Sequence, residues 1–177
     1  MDLASPRDFS DTLEIQGALE AFAARLAAQH GINSAQRVLL QQYVASMEEI
    51  AVAFGAWSMD FLDRYADMSR RFHLLVFELA QSSILQRHVA EDFVNQFAFV
   101  DRHALTQAHV DTLRKFMLFE QDQHRSLIEA IVQRNSIHAE DLVREHTSFN
   151  RKFFALWEDG IQTLTGPRTL SSTTLAG

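Results

Sequence analysis

Leu105–Arg134 reads LTQAHVDTLRKFMLFEQDQHRSLIEAIVQR, with no proline and no glycine. Within it Leu113, Met117, Glu120, His124, Leu127 and Ile131 recur at steps of three or four residues. That spacing puts them on one face of an α-helix. The stretch is therefore expected to be a long amphipathic helix whose inward face carries a glutamate and a histidine among aliphatic residues. No strand has such a repeat, and the rest of the chain has to pack around this element.

Working outward, the only prolines are Pro6 and Pro167, and between them glycine is sparse, at Gly17, Gly31, Gly55, Gly160 and Gly166. No segment alternates as a half-buried strand does. The expected class is all-α, an antiparallel bundle of six to seven helices joined by short connections. The first helix is expected from about Phe9 or Asp11 to His30, with Leu13, Leu19, Phe22, Leu26 and nearby alanines as its apolar face, and Gly31 as its stop. Asn33 or Ser34 caps a second helix carrying Val38, Leu39, Tyr43, Val44, Met47 and Ile50. After a break near Gly55–Ser58 a third covers Met59 to Ala80. Ser82 and Ser83 interrupt the pattern, which resumes from Ile84 to about Phe93, and Asn95–Thr106 carries no clear periodicity. Ser136 to about Trp157 forms the last helix. In domain terms, residues 1–8 are a lead, 9–160 the helical domain and 161–177 a small, polar tail expected to be disordered.

With 177 residues, nearly half of them hydrophobic, the chain can bury a substantial core. A net charge of −7 argues against gripping nucleic acid by its phosphates. There is no cysteine, so any metal must be held by His, Asp or Glu. No apolar run approaches the ~20 residues needed to span a bilayer, and the acidic, polar start is unlike a secretory signal. A cytoplasmic protein with no membrane contact is expected.

Three histidines stand out. The inward stripe of the third helix is Leu62, Tyr65, Ser69, His73, Val76 and Ala80; that of the last is Leu142, His146, Phe149, Phe153 and Leu156. With His124 of the long helix, each of three stripes has a single histidine near its middle. A lone histidine on an apolar stripe is most often a buried residue with a satisfied hydrogen bond. Three on three helices also suit a bundle-core metal site, because neutral imidazole is the usual nitrogen ligand for zinc and nickel. His30 suits a helix C-terminus, and His88, His103, His109 and His138 are read as surface residues. Other site types are excluded. No histidine has a glutamate three residues before it, as di-iron carboxylate bundles require, and there is no His-Glu-x-x-His, Gly-x-Ser-x-Gly or phosphate-binding glycine loop.

The run LEIQGALEAFAARLAAQHG resembles the opening helix of the FCD domain, the C-terminal ligand-binding domain of the fatty-acid-regulator branch of the bacterial GntR transcription regulators. RRFHLLVFELAQSSIL is similar to that family's Phe-His signature, QDQHRSLIEAI to its Glu-His-Arg-x-Leu-x-x-Ala-Ile signature, and VREHTSFNR holds the place of its closing histidine. The resemblance covers about residues 9 to 157.

The resemblance implies an effector-binding and dimerisation domain, and not an enzyme. Its metal-binding members use three histidines, matched by His73, His124 and His146, and an Asp or Asn matched by Ser69. Serine is a poor fourth ligand for a divalent ion such as zinc or nickel. The resemblance further implies a small carboxylate-like effector, with Arg70, Arg114 and Arg125 as candidate anion-binding residues, and a homodimer. DNA would be met only through a winged helix-turn-helix domain, which this sequence is not expected to contain. Two other readings use the same residues: a metal-dependent bundle enzyme, with Glu120 one turn before His124 as its best base, and a dimerisation module with a vestigial pocket.

Overall fold

A computed structural model of the chain describes residues 6–53, 59–89 and 106–165. Among them lie six helices and no strand: α1 Pro6–His30, α2 Ser34–Ala53, α3 Met59–Leu79, α4 Ser83–Val89, α5 Gln107–Val132 and α6 Ser136–Thr165. The all-α bundle expected from the periodicity is what forms. The expected break at Gly55–Ser58, residues 90–93 of the segment running to Phe93, and Asn95–Leu105 lie outside the described residues.

Local chemistry explains the helix ends. Pro6 opens α1 before the expected Phe9, since proline's fixed φ and missing N–H suit a first helical turn. Gly31, at φ 76°, ends that helix in the left-handed conformation. Asn33 and Gln36 cap α2 reciprocally, each side-chain oxygen accepting the other's backbone N–H at 2.9 Å. Thr106 and His109 cap α5 in the same way, which gives His109, read as a surface residue, a structural duty. Asn135 accepts the N–H of His138 at 3.3 Å to start α6. That helix runs to Thr165, past the expected Trp157 and through residues placed in the tail. A lone Gly160 weakens a helix without ending it; Pro167 is the first residue that cannot continue one.

α1 packs against α6, α3 and α5, and α2 against α5 and α3. The buried residues of α1 are Phe9, Gly17, Glu20, Ala21, Ala23, Ala24, Ala27 and Ala28. Leu13, Leu19 and Leu26 flank them half-buried, and Phe22 points out under the Arg25 guanidinium. The expected face of leucines and alanines therefore packs inward, with the alanines most deeply buried because they allow the closest helix approach; Phe22, expected on that face, is the one corrected. Val38 and Leu39 are likewise exposed, the repeat through Leu40, Val44, Met47 and Ile50 having turned them away. The stripes expected on α3 and α5 are buried throughout. On α6 the buried line is Ala139, Val143, His146, Asn150, Phe154 and Trp157, rotated by about one residue from the expected one, so Leu156 is 72% exposed.

Candidate functional site

Four helices meet at the middle of the bundle, and each sends polar side chains into it. His73 comes from α3, His124 from α5 and His146 from α6, all buried. Their ring centroids lie 5.2 Å (73–124), 5.5 Å (73–146) and 4.9 Å (124–146) apart. One ring nitrogen from each falls within 4.8 Å of the others, close enough to share one ion. The three histidines read as candidates on separate stripes therefore converge.

Their hydrogen bonds follow one rule. Nδ1 of His73 is 2.5 Å from Oε1 of Glu20 on α1. Nδ1 of His124 is 3.2 Å from Oε1 of Gln121, and Nδ1 of His146 is 2.9 Å from Oε1 of Gln123. An oxygen acceptor at Nδ1 selects the tautomer protonated there and leaves the Nε2 lone pair for another partner. Nε2 of His146 takes a 3.1 Å contact from the Asn150 amide nitrogen. Nε2 of His124 is fully buried and has no hydrogen-bond partner.

Behind the rings lies a second polar layer. Glu120 is fully buried; it accepts from Tyr65 Oη at 2.9 Å and from Asn150 Nδ2 at 3.1 Å. Gln121 donates to Tyr65 Oη at 2.6 Å. Burial, and then the neighbouring Glu120 charge, hold the Tyr65 hydroxyl pKa well above its ordinary value, so Tyr65 stays a neutral donor.

The three imidazoles are tuned apart. Burial lowers the pKa of His124 well below the ordinary histidine value, with the charges of His146, His73 and Arg125 adding to the effect. Burial, followed by the His73 charge, brings His146 down to about 3. Burial also acts against protonated His73, but the charge and hydrogen bond of Glu20 outweigh it and raise its pKa. Two neutral rings thus face a third whose proton is held by a carboxylate.

A cavity of about 250 Å³ opens beside the histidines. Its wall includes Gln16, Glu20, Ser69, Arg70, His73 and Asn150. Ser69 is buried and borders the cavity with His73, as their one-turn separation on α3 requires. Arg70 lies at the same cavity. Arg114 and Arg125 do not line it. Arg114 is paired with Asp111 at 2.8 Å. Arg125 is paired with Glu48 and Asp122 and borders a separate groove between α2 and α5.

Sequence reasoning missed Glu20, Gln121, Asn150 and the use of Gln123. Asn150 carried a signal, one turn after His146 in the true α6 stripe. So did Glu20, a charge on the same face as the small residues of α1. The pairing of Gln123 with a residue of another helix left no trace in local spacing.

The domain thus holds a buried cluster of imidazoles beside a small cavity at the centre of a helical bundle. The chain matches the family model of the FCD domain over residues 11–149, and it belongs to that family. FCD domains are the effector-binding domains of GntR-type transcription regulators. A search among curated proteins gives no match. No helix among the described residues is long and apolar enough to cross a membrane.

Proposed function

We propose that this domain is the sensor and dimerisation module of a GntR-type regulator, holding a divalent metal on His73, His124 and His146 and taking a small carboxylate effector in the adjoining cavity. One observation carries the reading: the buried, partnerless Nε2 of His124, set between two other rings whose Nδ1 atoms are likewise occupied by oxygen acceptors. Leaving a buried acceptor unmet is unfavourable by about 1–3 kcal/mol, and an ion held among the three rings would meet it, with the Asn150 amide giving up Nε2 of His146. Imidazole donors suit zinc or nickel. The bound ion would supply positive charge and a coordination position for an effector oxygen. Arg70 supplies a second positive group at the cavity.

The reading is a sensor and not an enzyme. Glu120, the best base by sequence, is held by Tyr65 and Asn150, which leaves it poorly placed to take a proton from a substrate. A ligand shifts a regulator only through different affinities for its two arrangements. Helices α1, α3, α5 and α6 all touch this site, so their relative positions are what a ligand would bias. Contact with DNA belongs to a winged helix-turn-helix partner domain.

The test is metal affinity by competition with a chelator. Ser69→Asp adds a charged oxygen beside the cavity and is expected to bind most tightly, with wild type next and His124→Ala weakest. If His124→Ala binds as tightly as wild type, the three-histidine reading fails. If Ser69→Asp changes nothing while His124→Ala abolishes binding, the histidines stand and Ser69 is not beside the ion.

A further inference from the structure

Glu20 lies in the opening-helix run that resembles the FCD domain but stands outside the three-histidine set, and it makes the shortest polar contact at the site. Its Oε1 is 2.5 Å from His73 Nδ1, and both side chains are only 7% exposed. Burying a carboxylate away from water is strongly unfavourable unless it is paired and hydrogen-bonded. Its neighbours on that α1 face are Leu13, Gln16, Gly17, Ala23 and Ala24, none of them charged, so nothing in the packing requires a charge there. The partners of the other two rings, Gln121 and Gln123, are neutral amides. They also sit on α5, in the same turn or so as His124. Gln123 also reaches across helices, from α5 to His146 on α6, but Glu20 alone brings a charge.

We propose that Glu20 is the positioning residue of His73: it fixes the ring's orientation and its Nδ1–H tautomer, aims Nε2 at the ion, and so ties α1 directly to the occupancy of the site. The inference rests on the three-histidine reading of the preceding section. A carboxylate behind a ligating imidazole fixes the tautomer and makes the ring a stronger donor, and losing such a partner typically weakens metal binding 10–100-fold. A glutamine keeps an acceptor oxygen but can also turn its NH2 toward the ring, so it holds the tautomer less well. Because Glu20 stands on α1, which packs along α3 and α6, His73 cannot change its ligation without a change in the forces on α1.

The experiment uses Co²⁺ as the probe, read by its visible absorption and by chelator competition, on wild type, Glu20→Gln, Glu20→Leu and His124→Ala. Nitrogen NMR of the imidazoles reports the His73 tautomer in the metal-free protein, and circular dichroism checks folding. The expected result is Co²⁺ affinity about 10–100-fold weaker for Glu20→Leu and between that and wild type for Glu20→Gln. The Co²⁺ spectrum should change in Glu20→Leu, and His73 should lose its fixed Nδ1–H form. Should Glu20→Leu not fold, the graded loss in Glu20→Gln carries the test. Wild-type affinity and spectrum in the folded Glu20 variants, with His124→Ala impaired, would overturn the role of Glu20 and leave the metal reading intact. No Co²⁺ binding by wild type would overturn both. A loss of affinity with the His73 tautomer unchanged would overturn the positioning role.

Discussion

His124 is the residue at which the two demands on this bundle meet. Its Nε2 is buried without a partner while its ring lies against Phe72, centroids 4.4 Å apart. Such an atom lowers the stability of the metal-free fold. Replacing His124 with leucine removes the unmet acceptor and is expected to raise metal-free stability by about 1 kcal/mol while abolishing metal affinity. Urea denaturation in the presence of chelator reads the first effect, and a loss of more than 1 kcal/mol would sink the argument. The histidines also set a pH dependence. In the unfolded chain all three protonate as pH falls through about 6.5. In the fold His146 takes its proton only near 3, and His124 is lowered as well. Between those values the unfolded state binds more protons, so stability falls as pH drops. His73, raised by Glu20, works the other way: its contribution is present below about 6.5 and is lost as pH rises through its folded value. Below about 6.5 His73 is protonated in both states and adds no slope, so the two lowered rings act together, and metal-free protein should lose stability from pH 6.5 to 4.5 by up to ~2.7 kcal/mol per pH unit. Thermal melts check this, with His146→Gln expected to flatten the slope and an equally steep decline in that variant counting against it.

The helices themselves were legible where their faces were apolar and their ends chemically marked. The α3 and α5 stripes, Gly31 and the Asn33 cap all followed from spacing and turn chemistry. The face of α1 was legible in its alanines and flanking leucines, and only Phe22 turned outward against the expectation. The stripe of α6 was displaced because Phe149 and Phe153 drew the eye from Asn150, a polar residue that belongs inside. Gly17 shows what close helix approach demands. A methyl group there would stand 2.7 Å from Thr147 Cβ and closer still to its Oγ1 and methyl. Thr147 is β-branched, stiff at χ1, and already bonded to the Val143 carbonyl at 2.9 Å. Gly17→Ala gains about 1 kcal/mol of helix propensity but overpacks the α1–α6 contact, for a net loss expected near 1–2 kcal/mol. In a Thr147→Ala background the same change should become neutral or favourable. A double-mutant cycle by denaturation tests it, and additive effects would show that the two residues do not collide.

At the scale of the whole molecule, convergence of the three histidines was readable because each sat at mid-stripe and the family resemblance set their order. Their supporting layer was not. Glu20 reaching His73 and Gln123 reaching His146 depend on how helices cross, which no single helix encodes. Assembly is also a whole-molecule property. Regulators of this class read paired half-sites, and two-fold protein symmetry mirrors that arrangement. The domain is expected to run in light scattering at twice its 20.2 kDa chain mass at micromolar concentration; a single-chain mass there would count against a dimer built by this domain.

The corner beyond Gly31 adds a mechanical consequence. The Arg134 guanidinium crosses over that glycine to donate to the His30 carbonyl at 3.2 Å, pinning the end of α1 to the turn between α5 and α6. At 1.5 Å per residue that pin lies roughly 15 Å from Glu20 and 36 Å from Pro6. A helix pivoting there acts as a lever. Each ångström that Glu20 is pushed or pulled at the histidines becomes about 2.4 Å at the Pro6 end, so this geometry turns a small change in how His73 is held into a larger swing at the opposite end of α1.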